Sequence, residues 1–447
     1  MPGACVDDAE TGVVVALTHE GDGIVRDGKA VFVAGALPGE VIRFRRRARH
    51  RQYDEGVLLE VLQSAAARIT PACSYFGICG GCALQHLAPQ AQLAAKQTEL
   101  RDNLERLARV TPRAWLPALA GPAWGYRRRA RLSVRFVAKK GRVLVGFRER
   151  FKPYVSAIAT CEVLAPAAAA LIEPLCGALT QLSIRDRVPQ IEVSVADNAV
   201  ALVLRVLAEP CGADLEALRM FETRHGVRLY LQAGGLDSVR RLSEVPSEEP
   251  LRYALPAFAL ELEFGPTDFI QVNRQVNEAL VARAIELLDL DASSRVLDLY
   301  CGIGNFTLAL ARRARSAVGV EADARLVATA RHNAERHALG NAQFHCLDLT
   351  QPAAHQAACM QEAYSHVLID PPRAGARAML PTVARLGPQR LLYISCHPGS
   401  LARDIGMLVH DHGFKLLAAG VLDMFPQTMH VESIALLEGP AARSRTE

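Results

Sequence analysis

The sequence predicts a multidomain protein with a small N-terminal β-barrel, a central α+β domain and a C-terminal doubly wound α/β domain. Short apolar runs separated by glycine-rich turns fill residues 1–62 and favour a barrel. A cysteine cluster followed by strand-like runs fills 63–261, and strands alternate with helices through 262–447, as in a parallel doubly wound sheet. With 447 residues, of which 50% are hydrophobic, the chain can build a core in each domain.

The N-terminal segment concentrates its positive charge on one predicted hairpin. Six arginines lie between Arg43 and Arg51, and the strands and loops of small barrels commonly bind oligonucleotides. Over the stretch HEGDGIVRDGKAVFVAGALPGE the segment resembles a TRAM domain, a small OB-like barrel that binds RNA. The resemblance implies an RNA-binding barrel over residues 1–62.

Charge is distributed unevenly along the chain, whose formal net charge is only +4. Between Gln63 and Glu162 there are 17 Lys and Arg residues against 5 Asp and Glu residues. Such a basic block indicates a polyanionic partner, most often nucleic acid. No apolar run is long enough to span a bilayer, and the start, Met1 to Glu10, lacks the order of a signal peptide. We therefore expect a soluble, cytoplasmic protein without a membrane partner.

The eleven cysteines include a compact group at the start of the central domain. Clustered cysteines in a long cytosolic chain favour a metal site or catalysis over disulfides. Cys73, Cys79 and Cys82 surround two glycines that let the loop wrap a cofactor, and three thiolates require a fourth ligand, for which Cys161 is the best candidate. An iron–sulfur cluster and a zinc ion accept the same ligands, so the spacing leaves both open. Leucines at helical spacing then predict a helix over Pro89 to Arg109.

A glycine loop between a predicted strand and helix marks a cofactor site in the C-terminal domain. In LDLYCGIGNFTL, Gly302 and Gly304 let the backbone approach a ligand closely, and the lack of a following Lys-Ser/Thr excludes a triphosphate loop. Glu321 ends the next strand, where an acid suits the ribose of NAD or of S-adenosylmethionine. Asp370-Pro-Pro after a later strand favours S-adenosylmethionine, because this order of motifs is that of nucleic-acid methyltransferases.

The end of another predicted strand contains Cys396, within the sequence YISCHP. Carbon 5 of uracil is a poor nucleophile, but a thiolate that adds to carbon 6 turns it into an enolate that can attack a methyl sulfonium. A base must then remove the carbon-5 proton, and Glu432, within MHVES, is the candidate. A strand-end cysteine taken alone is more often structural, so this assignment depends on the whole set of motifs.

Together these motifs resemble the RNA uracil-5-methyltransferase family along the whole chain. FIQVN, LDLYCGIGNFTLAL, GVE, DPPR, SCHP and HVES occur in the family's order. The resemblance implies a Rossmann-like, S-adenosylmethionine-dependent methyltransferase domain, with Cys396 as nucleophile and Glu432 as proton acceptor. The residues that it implies for cofactor binding are Gln271, Tyr300, Asn305, Glu321, Asp348 and Asp370. One departure is His397, which stands where the family usually has Asn and puts a local hydrogen bond in question.

The resemblance also implies a [4Fe–4S] cluster on the four cysteines Cys73, Cys79, Cys82 and Cys161, with zinc as the rival. A chain with both the TRAM barrel and this cluster resembles the 23S rRNA class of the family, since members that act on tRNA generally lack both. We therefore expect a monomeric 23S rRNA (uracil-C5)-methyltransferase that flips its target base out of the stack.

Arginines at 43–51 and 127–131 are expected to hold RNA phosphates, and Tyr75, Phe76 and Trp124 are candidates for base stacking. Two alternatives are a tRNA uracil-5-methyltransferase and a catalytically inactive RNA-binding factor in ribosome assembly. A third, a radical enzyme that modifies tRNA, would need Cys-x3-Cys-x2-Cys and a barrel, whereas the cysteine spacing here is x5 and x2.

Overall fold

The structure, a computed structural model, describes residues 9–243 and 249–440. The expectation that the N-terminus is not a signal peptide falls mostly on residues 1–8, which lie outside the described residues, as do residues 441–447. Within the described residues, no helix has both the length and the apolar composition needed to cross a membrane.

Five strands close into the predicted barrel, in the order β1-β2-β3-β5-β4. They are β1 (Ala9–Leu17), β2 (Gly23–Asp27), β3 (Lys29–Val33), β4 (Val41–Arg49) and β5 (Tyr53–Gln63). Alternation along β4 turns Ile42 and Phe44 into the apolar core and leaves Arg43 and Arg45 on the outer face. Glu40 is fully buried and accepts hydrogen bonds from the Arg68 guanidinium at 2.5 and 2.8 Å, which ties the barrel to the segment after it.

The helix that follows packs on the C-terminal sheet, although its sequence position assigned it to the central domain. It is α1 (Pro89–Asn103), which continues as a π-helical turn over Leu104–Ala108. Leu100 and Leu104 belong to an apolar core shared with C-terminal strands. The short β6 (Ala114–Trp115) joins the edge of the same sheet.

The central sheet has six strands, in the order β12-β11-β10-β9-β7-β8. The strands are β7 (Arg129–Val137), β8 (Arg142–Gly146), β9 (Gln190–Val195), β10 (Val200–Arg205), β11 (Val227–Gln232) and β12 (Val239–Arg241). The helices are α2 (Pro166–Ala169), α3 (Ile172–Gln181) and α4 (Gly212–His225). Pairing is antiparallel as expected from the sequence, except that α4 lets β11 run parallel to β10.

A two-stranded hairpin leads into the C-terminal sheet. It consists of β13 (Leu251–Leu255) and β14 (Leu260–Phe264), and the predicted boundary between residues 261 and 262 falls inside β14. The hairpin shares an apolar core with the C-terminal sheet. In that domain, the side-chain amide of Asn333 accepts a hydrogen bond from the Glu263 N–H at 2.8 Å and donates one to the Glu263 carbonyl at 3.0 Å.

The C-terminal domain is an eight-stranded sheet in the order β17-β16-β15-β18-β19-β21-β20-β6. Its first elements are α5 (Arg274–Leu288), β15 (Arg295–Leu299), α6 (Thr307–Ala311), β16 (Ser316–Glu321), α7 (Ala324–Arg336) and β17 (Ala342–Cys346). The others are β18 (His366–Ile369), α8 (Leu380–Leu386), β19 (Arg390–Ser395), α9 (Pro398–His410), β20 (Lys415–Leu422) and β21 (Glu432–Glu438). The strands β15 to β19 run parallel, and β21 is antiparallel to both of its neighbours. This is the predicted doubly wound arrangement, in which ligands bind beyond the carboxyl ends of the strands.

Candidate active site

A cavity of about 530 Å³ opens where the parallel strands of the C-terminal sheet end. Its volume lies in the range of small-molecule sites. The walls include every residue that the sequence suggested for cofactor binding or catalysis. These are Gln271, Tyr300, Asn305, Glu321, Asp348, Asp370, Cys396 and Glu432. The fold therefore brings together eight positions that are spread over more than a third of the chain, while their individual roles stay predictions.

The glycine loop forms one wall of this cavity. Tyr300, Gly302 and Gly304 have φ angles of 66°, 55° and 90°, and the left-handed backbone costs a residue with a side chain about 1–2 kcal/mol. Such strain at a pocket indicates a functional constraint on the loop. Glu321 accepts hydrogen bonds from the N–H groups of Gly302 at 3.2 Å and Ala322 at 2.7 Å, so its carboxylate is fixed beside the loop.

Asn305 is locked by two neighbours that sequence reasoning missed. The Tyr253 hydroxyl and the Asn277 amide donate to its Oδ1 at 2.9 and 3.0 Å, and its Nδ2 donates back to Asn277 at 3.0 Å. Asp348, by contrast, is exposed, and hydrogen bonds from Thr350 lower the pKa of its carboxyl. An ionised acid and a rigid amide thus stand on the cavity wall.

The turn after Asp370 is braced from beneath by a buried carboxylate. Asp404 accepts hydrogen bonds from the Ala376 N–H at 2.7 Å and from the Tyr393 hydroxyl at 2.6 Å. Gly375 lies in this turn with a φ of 82°, and a Cβ there would stand 2.5 Å from Asp404 Oδ2. The backbone conformation of this turn therefore depends on both Gly375 and the buried carboxylate of Asp404.

The candidate nucleophile and base lie opposite each other across two antiparallel strands. Ser395 at the end of β19 pairs with Ser433 on β21, so Cys396 and Glu432 are the next positions in this register. Residues opposed in this way have Cβ atoms about 4.5–5.5 Å apart. The thiol and the carboxyl therefore share one end of the cavity.

His397, which stands where the family usually has Asn, caps the helix that follows the candidate nucleophile. It is the N-cap of α9, and its Nδ1 accepts a hydrogen bond from the Ser400 N–H at 3.1 Å. An Asn side chain serves the same end of a helix through its carbonyl oxygen. The imidazole thus caps the helix, which begins at Pro398, two residues after Cys396.

Burial dominates the acid–base properties of this end of the cavity. It raises the pKa of the Cys396 thiol to about 11, and the negative charges of Glu432 and Asp370 add to the effect. Burial and Asp370 raise the pKa of Glu432 to about 8, against the opposing charges of Arg373 and Lys96. The pKa of Asp370 is raised to about 7 by burial alone. This end of the cavity therefore holds a neutral thiol beside a carboxyl whose pKa is about 8.

Known proteins match this chain over nearly its whole length. The family model described as tRNA (Uracil-5-)-methyltransferase matches residues 259–439. A protein of Xanthomonas campestris pv. campestris (strain 8004) named 23S rRNA (uracil(1939)-C(5))-methyltransferase RlmD is 48% identical over 426 residues, covering 94% of this chain and 95% of that protein. A protein of the same name from Stenotrophomonas maltophilia (strain R551-3) is 47% identical, covering 95% and 96%. The chain belongs to the RNA (uracil-5-)-methyltransferase family.

The fold of the family extends to a solved structure. The tRNA (uracil-54, C5)-methyltransferase of Pyrococcus abyssi, in complex with S-adenosyl-L-homocysteine, superposes with a TM-score of 0.73 at 22% identity, covering 96% of this chain and 100% of that chain. This likeness confirms the methyltransferase-like fold. It also agrees with the open parallel sheet described above, which rules out the barrel of a radical enzyme.

A second cavity, of about 700 Å³, adjoins the end of the first that contains Cys396, and this residue lines both. Arg373 and His430 lie in its wall, and the Arg373 guanidinium donates to His430 Nδ1 at 3.0 Å. The motif DPPR contains Arg373 and the motif HVES contains His430, but no role was predicted for either residue. A cation next to the thiol and the carboxyl opposes the effect of burial on both.

The four predicted ligand cysteines come together in the central part of the molecule. Cys73, Cys79, Cys82 and Cys161 line one small cavity. Burial raises the pKa of Cys79, Cys82 and Cys161, the second of them to about 12. Among residues 9–243 and 249–440, no three His, Cys, Asp or Glu side chains are arranged to hold a single metal ion.

The prediction for the arginines at 127–131 is wrong in part. Arg128 is only 6% exposed and pairs with Asp197 at 2.5 Å. Arg129 pairs with Glu192 at 3.2 Å and donates to the Thr267 carbonyl at 2.7 Å. These two side chains join parts of the fold and are not free for phosphates, because they are turned into an interior that the sequence did not reveal.

Two of the three candidates for base stacking are also placed differently. Tyr75 and Phe76 form part of the cysteine cavity. The Tyr75 hydroxyl accepts a hydrogen bond from the Ala159 N–H at 3.1 Å, and the Phe76 ring packs on His86 with centroids 5.2 Å apart. Trp124 remains partly exposed. The first two residues therefore pack within the fold rather than against an open groove.

Proposed function

We propose that this protein methylates carbon 5 of a uracil in 23S rRNA, using S-adenosylmethionine and a covalent adduct with Cys396. The observation that supports this most strongly is that Cys396 and Glu432 line the same cavity, each next to one residue of the Ser395–Ser433 pair on adjacent strands. A thiol and a carboxyl opposed in this way, at the mouth of a cavity of cofactor size, are the two groups that the reaction needs.

The chain provides each step with a group in the right place. Cys396, whose resting thiol is neutral, releases its proton to solvent through the adjoining cavity. Its thiolate Sγ then bonds to carbon 6 of the uracil, and the electron pair of the carbon 5–carbon 6 double bond moves into an enolate. S-adenosylmethionine, when bound, supplies the electrophilic methyl group that carbon 5 takes. Glu432 then accepts the carbon-5 proton, and the bond between Sγ and carbon 6 breaks as the carbon 5–carbon 6 double bond re-forms. The products are 5-methyluracil in the RNA, S-adenosylhomocysteine and the Cys396 thiolate, which regains a proton from solvent.

The six cofactor residues would divide the ligand between them. We assign the ribose to Glu321, which ends β16 beside the glycine loop, as acids do at this position of doubly wound sheets. Tyr300 and Asn305 would hold the cofactor from the glycine-loop side, and Asp348 would accept a hydrogen bond at the exposed rim. Gln271 and Asp370 would face the end where the methyl group is transferred.

The substrate assignment rests on the relatives and on the shape of the surface. The relatives that share nearly half of the residues with this chain are named for uracil 1939 of 23S rRNA. A cavity between the barrel and the cysteine loop shares His19, Glu20 and Cys82 with the cavity beside Cys396. We propose that this continuous groove holds the RNA, with the barrel acting as a TRAM domain through the outer arginines of β4.

We further propose that Cys73, Cys79, Cys82 and Cys161 bind a [4Fe–4S] cluster. A tetrahedral zinc ion with Zn–S bonds of about 2.3 Å needs sulfurs only about 3.8 Å apart, and the described residues contain no group set for a single ion. A four-iron cluster spreads its thiolates more widely, because irons and sulfides lie between them. The proposal is supported by the four cysteines that line one cavity and by the resemblance of their motif to that of the family's cluster-binding members.

Iron and acid-labile sulfide content, with the visible absorption of protein purified without oxygen, tests the cluster. We expect both to be lost in Cys161→Ser and kept in Cys211→Ser, a matched change at an exposed cysteine. If the wild-type protein contains stoichiometric zinc and no iron, the proposed cluster is wrong and the four cysteines bind zinc.

Transfer of labelled methyl from S-adenosylmethionine to naked 23S rRNA and to tRNA tests the function, followed by nucleoside analysis. We expect 5-methyluridine in 23S rRNA alone, lost in Cys396→Ala and kept in Cys211→Ala. If tRNA is labelled, the proposed reaction stands but the assignment of 23S rRNA as the substrate is wrong. Binding of RNA without methyl transfer would establish the inactive assembly factor. Because the cofactor cavity, nucleophile and base lie in one chain, we propose a monomer that acts in the cytoplasm, where ribosomal RNA is found.

A further inference from the structure

Helix α1 buries two polar side chains beneath the connection that leads to the candidate base. Gln92 and Lys96 are four residues apart, so they lie on one face of the helix. They are only 2% and 0% exposed. Above them runs the connection, residues 423–431, between β20 and β21, and β21 begins with Glu432. Buried polar groups are retained where they have partners, and here most of the partners lie in this connection.

The Gln92 amide holds the connection by both of its ends. Its Nε2 donates to Gln427 Oε1 at 3.0 Å and to the Leu87 carbonyl at 2.8 Å, and its Oε1 accepts from the Gln427 N–H at 2.9 Å. Gln427 has a φ of 69°, a left-handed backbone that a residue other than glycine adopts only under constraint. Its carbonyl accepts hydrogen bonds from the N–H groups of Ala83 and Leu84, both at 2.9 Å.

Lys96 holds the same connection at Asp423 and Phe425, four and two residues before Gln427. Its ammonium group donates to Asp423 Oδ1 at 2.6 Å and to the Phe425 carbonyl at 3.0 Å. The next carbonyl, of Pro426, accepts a hydrogen bond from the Tyr126 hydroxyl at 2.9 Å. The three consecutive carbonyl groups of residues 425–427 are thus bound by the segment before the central sheet, which contains none of the catalytic motifs.

The connection reaches the active site within a few residues of these bonds. Met429 packs against the buried Leu37, Leu84 and Leu87, His430 lines the cavity beside Cys396, and Glu432 lies two residues further on. The course of the backbone from 423 to 430 therefore decides where the carboxyl of the first residue in β21 lies. A shift of about 1 Å at a reacting group can lower a rate about 100-fold.

We propose that Gln92 and Lys96 are positioning residues for the proton-removal step, holding the 423–430 connection so that Glu432 meets carbon 5 of the bound uracil. The inference rests on the proposed function, in which Glu432 accepts that proton. It predicts that loss of either anchor slows the release of the methylated RNA more than it slows formation of the covalent adduct.

The experiment measures the covalent adduct and the turnover together in Gln92→Leu and Lys96→Met. Enzyme, 23S rRNA fragment and labelled S-adenosylmethionine are mixed, and label in the protein–RNA band that survives SDS is compared with label in free RNA. We expect turnover to fall about 10- to 100-fold, with methylated adduct accumulating on the enzyme. Gln90→Leu, an exposed change on the same helix, is the matched control and should behave as wild type.

A third variant keeps the test valid if the buried changes prevent folding. Gln427→Gly suits the left-handed backbone and removes the side chain that Gln92 holds, so it should fold and still accumulate adduct. Glu432→Gln is the positive control, because it should trap the adduct. If it does, and turnover falls in the three anchor variants without any accumulation of adduct, the inference is wrong. If Glu432→Gln traps none either, the proposed function fails instead.

Discussion

The decay of the methylated adduct should depend on pH through the carboxyl of Glu432. Burial and the charge of Asp370 raise the pKa of this group to about 8, and only its ionised form can accept the carbon-5 proton. One pH unit below its pKa, about a tenth of a carboxyl is ionised. We therefore expect the decay rate to rise with pH and to be about ten-fold lower at pH 7 than on the plateau reached above about pH 9.

The charges around Glu432 allow a second, directional part of this prediction. The positive charge of Arg373 opposes the rise in the pKa of Glu432, since a nearby cation favours the carboxylate. Arg373→Gln should move the whole pH curve of adduct decay to higher pH. Asp370→Asn should move it to lower pH, because the like charge that disfavours ionisation is removed.

The assay is a single turnover in which adduct is formed with labelled cofactor and its loss is followed on SDS gels at a series of pH values. Decay in Glu432→Gln should be slow and independent of pH. A wild-type rate that is flat or falls with rising pH would refute the reasoning. The same pH dependence in Glu432→Gln would show that another group removes the proton.

Three further predictions concern elements that support the site. Gly375→Ala should lower thermal stability more than Gly387→Ala. Both glycines have left-handed backbones, which cost a residue with a side chain about 1–2 kcal/mol, but only a Cβ at 375 would clash with neighbouring atoms. Equal losses of stability in the two variants would contradict the clash. His397→Ala should cost about 1 kcal/mol in chemical denaturation, and His397→Asn should restore it; a stable Ala variant would exclude the cap. Glu40→Gln should lower the melting temperature by weakening the buried contact with Arg68, whereas the exposed Glu60→Gln should leave it unchanged.

Much of the site could be predicted from the sequence because its chemistry is local in the chain. Each parallel strand ends in a short motif, and the carboxyl ends of such strands meet at one edge of the sheet. Strand-end positions therefore assigned one site to the motifs that contain Glu321, Asp370 and Cys396. Gln271, Tyr300, Asn305 and Asp348 were implied by the resemblance to the RNA uracil-5-methyltransferase family. The barrel and the doubly wound sheet followed from turn spacing and from the alternation of strands and helices.

Contacts between segments distant in sequence were decided by the tertiary structure alone. A run of arginines looks the same whether it faces RNA or pairs inward, and only the packing around β7 shows that Arg128 meets Asp197. The spacing of the leucines in and after α1 predicts a helix but not the sheet on which it packs. The partners of Gln92 and Lys96 lie more than 300 residues along the chain. No local pattern encodes such a pairing, because the interactions form only when the two segments are buried against each other.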